Sequence, residues 1–191
     1  MPGVPFEMMY LTEEQVIPKL KQHFQLPAIV HHTILTAGIG ESFLADTISA
    51  IEDSLPPHIK LAYLPKLGQV RLRLSGYGDD KELLEQQIDV FKKQIAEKLG
   101  AYVVTDVDKP LEKAILDFMQ LKGLTLAVAE SCTGGYLSHL ITQHPGCSIV
   151  FLGGAISYSN QLKQTMLGVS ENTLNSSGAV SELTVNEMVT G

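Results

Sequence analysis

A strand that runs directly into a glycine-containing turn and then a helix is the feature that most constrains this fold. Residues 125–129 form a short run of strand-forming character, and Glu-Ser-Cys-Thr-Gly-Gly follows at 130–135. Apolar residues then recur at helical spacing, at Leu137, Leu140 and Ile141. Backbone amides at such a helix start attract an anion or an oxyanion. The stretch therefore predicts an α/β domain that presents a reactive side chain at the end of a strand.

Composition places the chain among globular proteins and argues against several function classes. Of its 191 residues, 45% are hydrophobic and 18% are charged, and the net charge of −7 disfavours nonspecific binding to nucleic acid or anionic membranes. No apolar run approaches the ~20 residues that span a bilayer, and no signal peptide is expected. Cys132 and Cys147 are the two cysteines, and they form no zinc pattern with the histidines. So few cysteines favour a reducing compartment, and a cytoplasmic protein is expected.

The N-terminal segment is predicted to be a loop followed by one short helix. Residues 1–8 contain two prolines that flank a glycine, which disfavours a regular element. Thr12 is then a candidate N-cap before an acidic first turn, and the helix is expected to continue toward Phe24 and to end before Pro27. One short helix cannot bury a core alone, so this segment is interpreted as the tail of something larger or as a docking arm.

Residues 29–104 show a β-α-β-β-α pattern. A strand is predicted at 29–37, a helix at 42–55, a hairpin from strands at 59–64 and 69–75, a long helix at 81–99 and a short strand at 101–104. The pattern predicts a small α+β domain with two helices on a short sheet, followed by a candidate linker at 106–110.

Residues 111–191 alternate helices and strands. The helix at 111–121 is expected to turn Leu111, Ile115, Phe118 and Met119 inward. After the Ser131 turn, a second strand is predicted at 148–157, with Gly153-Gly154 as a bulge or a close approach. Further helices are predicted to begin near residues 160, 170 and 181. These elements form the first half of a three-layer α/β/α domain, so the chain is expected to be a fragment.

Four separated blocks resemble the signature of the CinA family: residues 129–135, 154–160, Lys163 and 178–182. The family's C-terminal domain is a nicotinamide mononucleotide amidohydrolase, and its middle domain has a KH-like topology. The resemblance implies a KH-like domain at 28–106 and the N-terminal part of the amidohydrolase domain at 107–191. Residues 1–27 resemble the end of the family's N-terminal nucleotide-hydrolase domain.

Hydrolysis of a carboxamide needs a nucleophile, a base and donors for an oxyanion. In the family, matching Ser, Tyr and Lys residues act together, which implies Ser131 as nucleophile, Lys163 as base and Tyr158 as a proton relay or orienting group. Considered without the resemblance, Ser131 is more typical of a helix N-cap than of a nucleophile, and Lys163 is more typical of a helix surface than of a base. Cys132 is a rival nucleophile, although no histidine in the motif blocks is placed to activate it. A lysine acts as a base only where burial or a nearby cation favours its neutral form.

The substrate-binding residues are expected beside the nucleophile. The amides of the Gly-rich turn are candidate oxyanion or phosphate donors, and carboxylates such as Glu130 and Glu182 could orient the ribose or the lysine or serve a structural role. The expected substrate-binding set is Glu130, Thr133, Gly134, Gly135 and Ser181. No metal ion or cofactor is expected for this reaction. A divalent metal is expected only for the family's N-terminal domain, whose site lies outside this chain.

The resemblance implies an enzyme that hydrolyses nicotinamide mononucleotide to nicotinate mononucleotide and ammonia. The expected partner is this small-molecule nucleotide substrate, and no membrane partner is expected. The alternative is a noncatalytic module that links domains or sets a homo-oligomer, expected to be a dimer. RNA binding through the middle domain is not expected, because Gly38-Ile39-Gly40-Glu41 does not match the GXXG loop of RNA-binding KH domains and adds an acidic group.

Overall fold

The computed structural model describes residues 4–24 and 26–191, which divide between Asp108 and Lys109 into two compact units. The helices are α1 Pro5–Leu11, α2 Ile17–His23, α3 Glu41–Asp53, α4 Lys81–Leu99, α5 Leu111–Leu121, α6 Tyr136–Thr142, α7 Asn160–Leu167, α8 Glu171–Ser177 and α9 Glu182–Thr190. The strands are β1 Ala28–Ala37, β2 Ile59–Lys66, β3 Gln69–Gly78, β4 Val103–Thr105, β5 Leu126–Glu130 and β6 Phe151–Ile156. The predicted class, a KH-like α+β domain followed by an α/β domain, is confirmed.

The N-terminal segment is helical where a loop was predicted. Residues 1–3 lie outside the described residues, but from Pro5 to Met8 the loop prediction is wrong. Pro5 occupies the start of α1, where a missing N–H costs no helical hydrogen bond. Pro18 is the second residue of α2, which directly follows a π-helical turn. Thr12 is no N-cap, because it begins a π-helical turn at Thr12–Val16 that joins the two helices. Neither helix buries any of its side chains.

The first unit is built on a four-stranded antiparallel sheet of order β2-β3-β1-β4. Helices α3 and α4 bury their apolar stripes against the sheet, and the core includes Ile34, Leu44, Ile48, Leu72, Ile88 and Ile95. The predicted hairpin and both predicted helices are confirmed within a few residues. The last predicted strand begins later than expected, because Gly100–Tyr102 forms a 3₁₀ turn before β4.

The second unit contains two parallel strands, β5 and β6, connected through α6. One apolar cluster of Leu116, Ile141 and Val150 joins α5 and α6 to the start of β6, and a second joins Leu167, Val169, Leu174 and Met188 across the last three helices. The second strand is shorter than predicted, because a 3₁₀ turn at Cys147–Ile149 precedes it. The two strands and their helices are the predicted partial α/β arrangement.

Helix α5 packs only part of the predicted face inward. Met119 packs against the apolar cluster of Leu116, Ile141 and Val150, whereas Ile115 and Phe118 are exposed, Phe118 by 56%. Ala114 and Leu116 are buried instead. The packing of Leu116 with Ile141 of α6 sets this orientation.

Parallel pairing brings the ends of β5 and β6 to one edge of the sheet. Glu130 pairs with Ile156, and the N–H of Ser157 continues the ladder by donating to the carbonyl of Glu130 at 2.8 Å. Ser131 and Ser157 therefore follow adjacent strand ends. The carboxyl ends of parallel strands are where open α/β sheets bind ligands.

Candidate active site

The amine of Lys163 lies inside the second unit and contacts three oxygens. The residue is only 1% exposed. Its Nζ donates to the carbonyl oxygen of Ser157 at 2.7 Å and to that of Tyr158 at 3.1 Å, and it lies 2.8 Å from the Oγ of Ser131. Within residues 4–24 and 26–191, no carboxylate forms an ion pair with it. Besides its bond to Cε, the Nζ of Lys163 has three tetrahedral positions. Two of them are directed at carbonyl oxygens, and the third faces the Oγ of Ser131.

Helix α7 carries Lys163 to this position because of how the helix begins. Ser159 is the N-cap, and its side chain accepts from the N–H of Leu162 at 3.2 Å. Lys163 follows in the first turns, and side chains of a helix lean toward its N-terminus. The long side chain of Lys163 therefore reaches back to the end of β6, where Ser157 precedes the helix.

Ser131 begins a turn whose shape depends on two glycines. Its carbonyl accepts from the N–H of Gly134 at 3.0 Å. Gly134 has φ +59° and Gly135 has φ +94°, a left-handed region that other residues rarely adopt. A Cβ on Gly135 would also lie 2.8 Å from the Cδ1 of Ile156. The Gly-Gly pair thus lets the chain reverse tightly between Ser131 and α6.

The carboxylate of Glu130 is buried beneath this turn and holds the start of α6. Only 3% of the residue is exposed. One carboxylate oxygen accepts from the N–H of Leu137 at 2.9 Å, and the other accepts from the N–H and the hydroxyl of Ser138 at 2.9 and 2.6 Å. Burial acts to raise the pKa of Glu130, but these donors and the Thr133 hydroxyl outweigh it and lower the pKa from its ordinary 4.5 to about 2.

Two of the predicted substrate-binding residues, Glu130 and Gly134, make hydrogen bonds within the protein. The anion that the α6 amides attract is the side chain of Glu130, so its oxygens face the helix and serve a structural role. The amide of Gly134 is engaged by the carbonyl of Ser131 within the turn. The amides of Thr133 and Gly135 lie in the same turn, and their role as oxyanion donors stays a prediction.

Tyr158 and Cys132 take positions that the sequence did not specify. The side chain of Tyr158 is 73% exposed, and the residue reaches Lys163 through its backbone carbonyl. Cys132 is an exposed free thiol beside Ser131. The amine of Lys163 contacts the hydroxyl of Ser131, which distinguishes the serine from its neighbour.

Ser181 is the N-cap of α9. Its Oγ accepts from the N–H of Thr184 at 3.2 Å and donates to the carbonyl of Gly178 at 3.3 Å. Glu182 is exposed in the first helical turn. The structure thus gives Ser181 a capping role, and its contact with substrate stays a prediction.

The sequence did not predict the residues that support the contact between Ser131 and Lys163. Ser138 gives Glu130 two hydrogen bonds, and only its place one turn into α6 could have indicated it. Gly154 fits the predicted close approach, since an added Cβ would lie 2.4 Å from the Oγ of Ser138 and 3.0 Å from the Cγ2 of Val128. Ser157 lies at the end of the predicted strand and within the 154–160 block, but the contact of its carbonyl with Lys163 was not predicted.

The described part of the chain contains neither a metal-binding cluster nor a helix suited to span a membrane. No cluster of three or more His, Cys, Asp or Glu side chains there has the arrangement to hold a metal ion. None of its helices combines the length and apolar character that crossing a bilayer requires.

Two models of known protein families match the chain, one after the other along the sequence. The model of the damage-inducible protein CinA KH domain matches residues 31–105. The model of the CinA C-terminal domain matches residues 108–191, which contain Ser131 and Lys163.

Two relatives match all or nearly all of the chain, and a solved structure matches part of it. A CinA-like protein of Flavobacterium psychrophilum is 43% identical over 191 residues, which are 100% of this chain and 46% of that protein. A CinA-like protein of Cytophaga hutchinsonii is 42% identical, over 98% of this chain and 45% of that protein. The crystal structure of competence/damage inducible protein CihA from Agrobacterium tumefaciens is 39% identical and covers 40% of this chain and 47% of its own, with a TM-score of 0.40. The chain thus spans a little under half the length of the relatives it matches.

Proposed function

This chain belongs to the CinA family, and from that premise we propose that its second unit carries the nucleophile and base of an amidohydrolase acting on nicotinamide mononucleotide. The products are nicotinate mononucleotide and ammonia. The observation that carries the proposal is the 2.8 Å separation between Lys163 Nζ and Ser131 Oγ, inside the region that matches the CinA C-terminal domain. A buried amine on a serine hydroxyl is a pairing that nucleophilic catalysis uses.

Acylation begins with a proton transfer from serine to lysine. In its neutral form, Lys163 keeps two N–H groups on the carbonyls of Ser157 and Tyr158, and its lone pair points to the hydroxyl of Ser131. As that proton moves to Nζ, the Oγ of Ser131 attacks the carboxamide carbon and forms a tetrahedral intermediate. Holding both groups in contact before reaction removes much of the entropic barrier.

Collapse of the intermediate requires the proton to move again. The ammonium of Lys163 donates a proton to the carboxamide nitrogen, the C–N bond breaks, and ammonia leaves an acyl group on Ser131. A water molecule, deprotonated by the same amine, then attacks the acyl carbon. The bond to Ser131 Oγ breaks, the ammonium of Lys163 returns its proton to that oxygen, and the nicotinate product leaves. Amides of the turn, those of Thr133 and Gly135 among the candidates, stabilise the oxyanion in both steps.

An ammonia-release assay tests the proposal. The full-length protein and the chain of residues 1–191 are incubated with nicotinamide mononucleotide, and ammonia and nicotinate mononucleotide are quantified together. The full-length protein is expected to release one ammonia per nicotinate product, and the Ser131→Ala variant none above background. A full-length protein that binds the nucleotide but releases no ammonia would contradict the proposal.

A second candidate function is a noncatalytic module that links domains or sets an oligomer. One observation favours it: α1 and α2 bury none of their side chains, although they carry apolar residues such as Phe6, Met9 and Leu20. Light scattering of the full-length protein tests the homodimer expected from the sequence. A module of this kind would give a defined oligomer and no amidohydrolase activity, whereas the two functions coexist if both measurements are positive.

A further inference from the structure

Ser157 has a buried hydroxyl that the mechanism above does not use. The residue is 0% exposed, and its Oγ has no hydrogen-bond partner among the described residues. Its backbone, in contrast, is fully engaged, with its N–H on the carbonyl of Glu130 and its carbonyl accepting from Lys163. A buried hydroxyl without a partner is unfavourable, because it loses water and gains nothing in exchange. An alanine at this position would avoid that loss.

The side chain of Ser157 lies on the same side of the strand as the lysine helix. Side chains alternate along a strand, so Ser157 follows Ala155 in direction. Ala155 packs against the apolar cluster that contains Leu167 of α7, the helix that also carries Lys163. Only the carbonyl carbon, Cα and Cβ of Ser157 separate its hydroxyl from the carbonyl oxygen that Nζ contacts at 2.7 Å.

The reaction requires the amine to serve two different atoms in succession. The proton comes from the Oγ of Ser131, but it must be delivered to the nitrogen of the departing amide, which is bonded to the same carbon at another position. A tetrahedral ammonium cannot redirect one N–H while both others stay on fixed carbonyls. The contact most readily given up is the longest, the 3.1 Å contact to the carbonyl of Tyr158. An ammonium that gives up an acceptor in a buried site needs another one.

We propose that the Ser157 hydroxyl is this second acceptor, which holds the ammonium of Lys163 while it turns from Ser131 to the leaving nitrogen. Ser157 is thus a positioning residue that acts through Lys163, and it neither gains nor loses a proton. One proton passes from Ser131 to Lys163 and then to the amide nitrogen, which departs as ammonia. The inference rests on the proposed amidohydrolase function.

Two substrates that differ in their leaving group separate this role from a structural one. Nicotinamide mononucleotide needs a proton on its leaving nitrogen, whereas the trifluoroethyl ester of nicotinate mononucleotide has a leaving group that departs without one. In the full-length protein, Ser157→Ala should lower kcat for the amide by about tenfold or more, the effect of losing a hydrogen bond to a charged group. The ester rate should stay within about twofold of wild type, and removal of a hydroxyl without a partner should not lower the Tm. Ser148→Ala, at an exposed serine, is the control and should change neither rate.

The remaining outcomes each decide against the inference. If both rates of Ser157→Ala match wild type, or both fall by the same factor, Ser157 does not guide the proton to the leaving group. If the alanine variant fails to fold, Ser157→Cys replaces it, because a thiol has similar size and is a much weaker acceptor. If the wild type hydrolyses ester and amide while Ser157→Ala does so equally well, only the inference fails. If the wild type hydrolyses neither, the proposed function fails and this inference falls with it.

Discussion

The Nζ of Lys163 and the Oγ of Ser131 lie 2.8 Å apart, although 32 residues separate them in the sequence. Parallel pairing of β5 with β6 brings both strand ends to one edge, and the start of α7 directs the lysine back toward that edge. The contact therefore depends on backbone topology as well as on the two side chains. It also defines which substitutions should stop the reaction and which should only destabilise the unit.

Removing the hydroxyl of Ser131 should abolish amidohydrolase activity and leave the fold intact. Ser131→Ala in the full-length protein is expected to lower kcat by several orders of magnitude, as loss of a nucleophile does elsewhere. Steady-state ammonia release and a thermal melt measure the two effects. Cys132→Ala is the matched control and should keep most of the activity. Retention of more than about a tenth of the wild-type kcat by Ser131→Ala would remove the serine from this role.

Replacing Lys163 by arginine should be nearly as damaging as replacing it by alanine. Arginine keeps a positive charge but does not release a proton in the working pH range, so it cannot act as a base. Both variants are expected to lose activity in the ammonia assay. Full activity of Lys163→Arg would mean that the residue serves as a charge alone.

Glu130→Gln should reduce stability in a pH-dependent way. Hydrogen bonds lower the pKa of Glu130 from 4.5 to about 2, so the folded state holds its carboxylate ionised more strongly than the unfolded chain does. The resulting stability is fully present above pH 4.5 and is lost as the pH falls toward about 2. Urea unfolding from about pH 7 to about pH 2 should show wild type and variant converging at the acidic end. The control is Glu182→Gln at an exposed carboxylate, and a pH-independent gap for Glu130→Gln would oppose the assignment.

Gly154→Ala should destabilise the second unit through a clash with Ser138. The added Cβ would lie 2.4 Å from the Ser138 Oγ and 3.0 Å from Val128, so the expected cost is roughly 1–3 kcal/mol. A double-mutant cycle with Ser138→Ala tests the cause, since removing the hydroxyl relieves the shorter contact. The double variant should lose less stability than the sum of the single variants. Strict additivity would show that the hydroxyl is not the obstacle.

Amidohydrolase activity should withstand removal of metal ions. Ser131 and Lys163 supply a nucleophile and a base by themselves, so the proposed reaction has no step that requires a Lewis acid. The full-length protein is assayed before and after exhaustive dialysis against a chelator, with metal content measured in parallel. Activity that disappears on dialysis and returns with added zinc or magnesium would contradict the proposal.

The strand, turn and helix around Ser131 were predictable because each is determined locally. The apolar run of β5, the Gly-Gly pair and the helical spacing that follows all lie within one short stretch. The contact between Ser131 and Lys163 was not predictable from spacing, since it depends on strand pairing over a long separation. The resemblance to a family, and not periodicity, identified the two residues together.

The errors arose where several structures are compatible with the same local pattern. Pro5 was interpreted as a helix breaker, yet proline is well tolerated at the first position of a helix. Ile115 and Phe118 were predicted to face inward, but the packing of Leu116 against Ile141 leaves them exposed. The sequence also does not show that Ser138 and the α6 amides surround the carboxylate of Glu130, whose contact with substrate stays a prediction.

The buried carboxylate of Glu130 also sets an order of events during synthesis. Its partner Ser138 is eight residues away, so the loop that joins them closes fast and at small entropic cost. Lys163 emerges from the ribosome 32 residues after Ser131, on the order of seconds later at ordinary translation rates. The residues of the serine turn therefore leave the ribosome before Lys163 does. The contact between Ser131 and Lys163, on which the proposed hydrolysis depends, forms only when α7 has also emerged and docked.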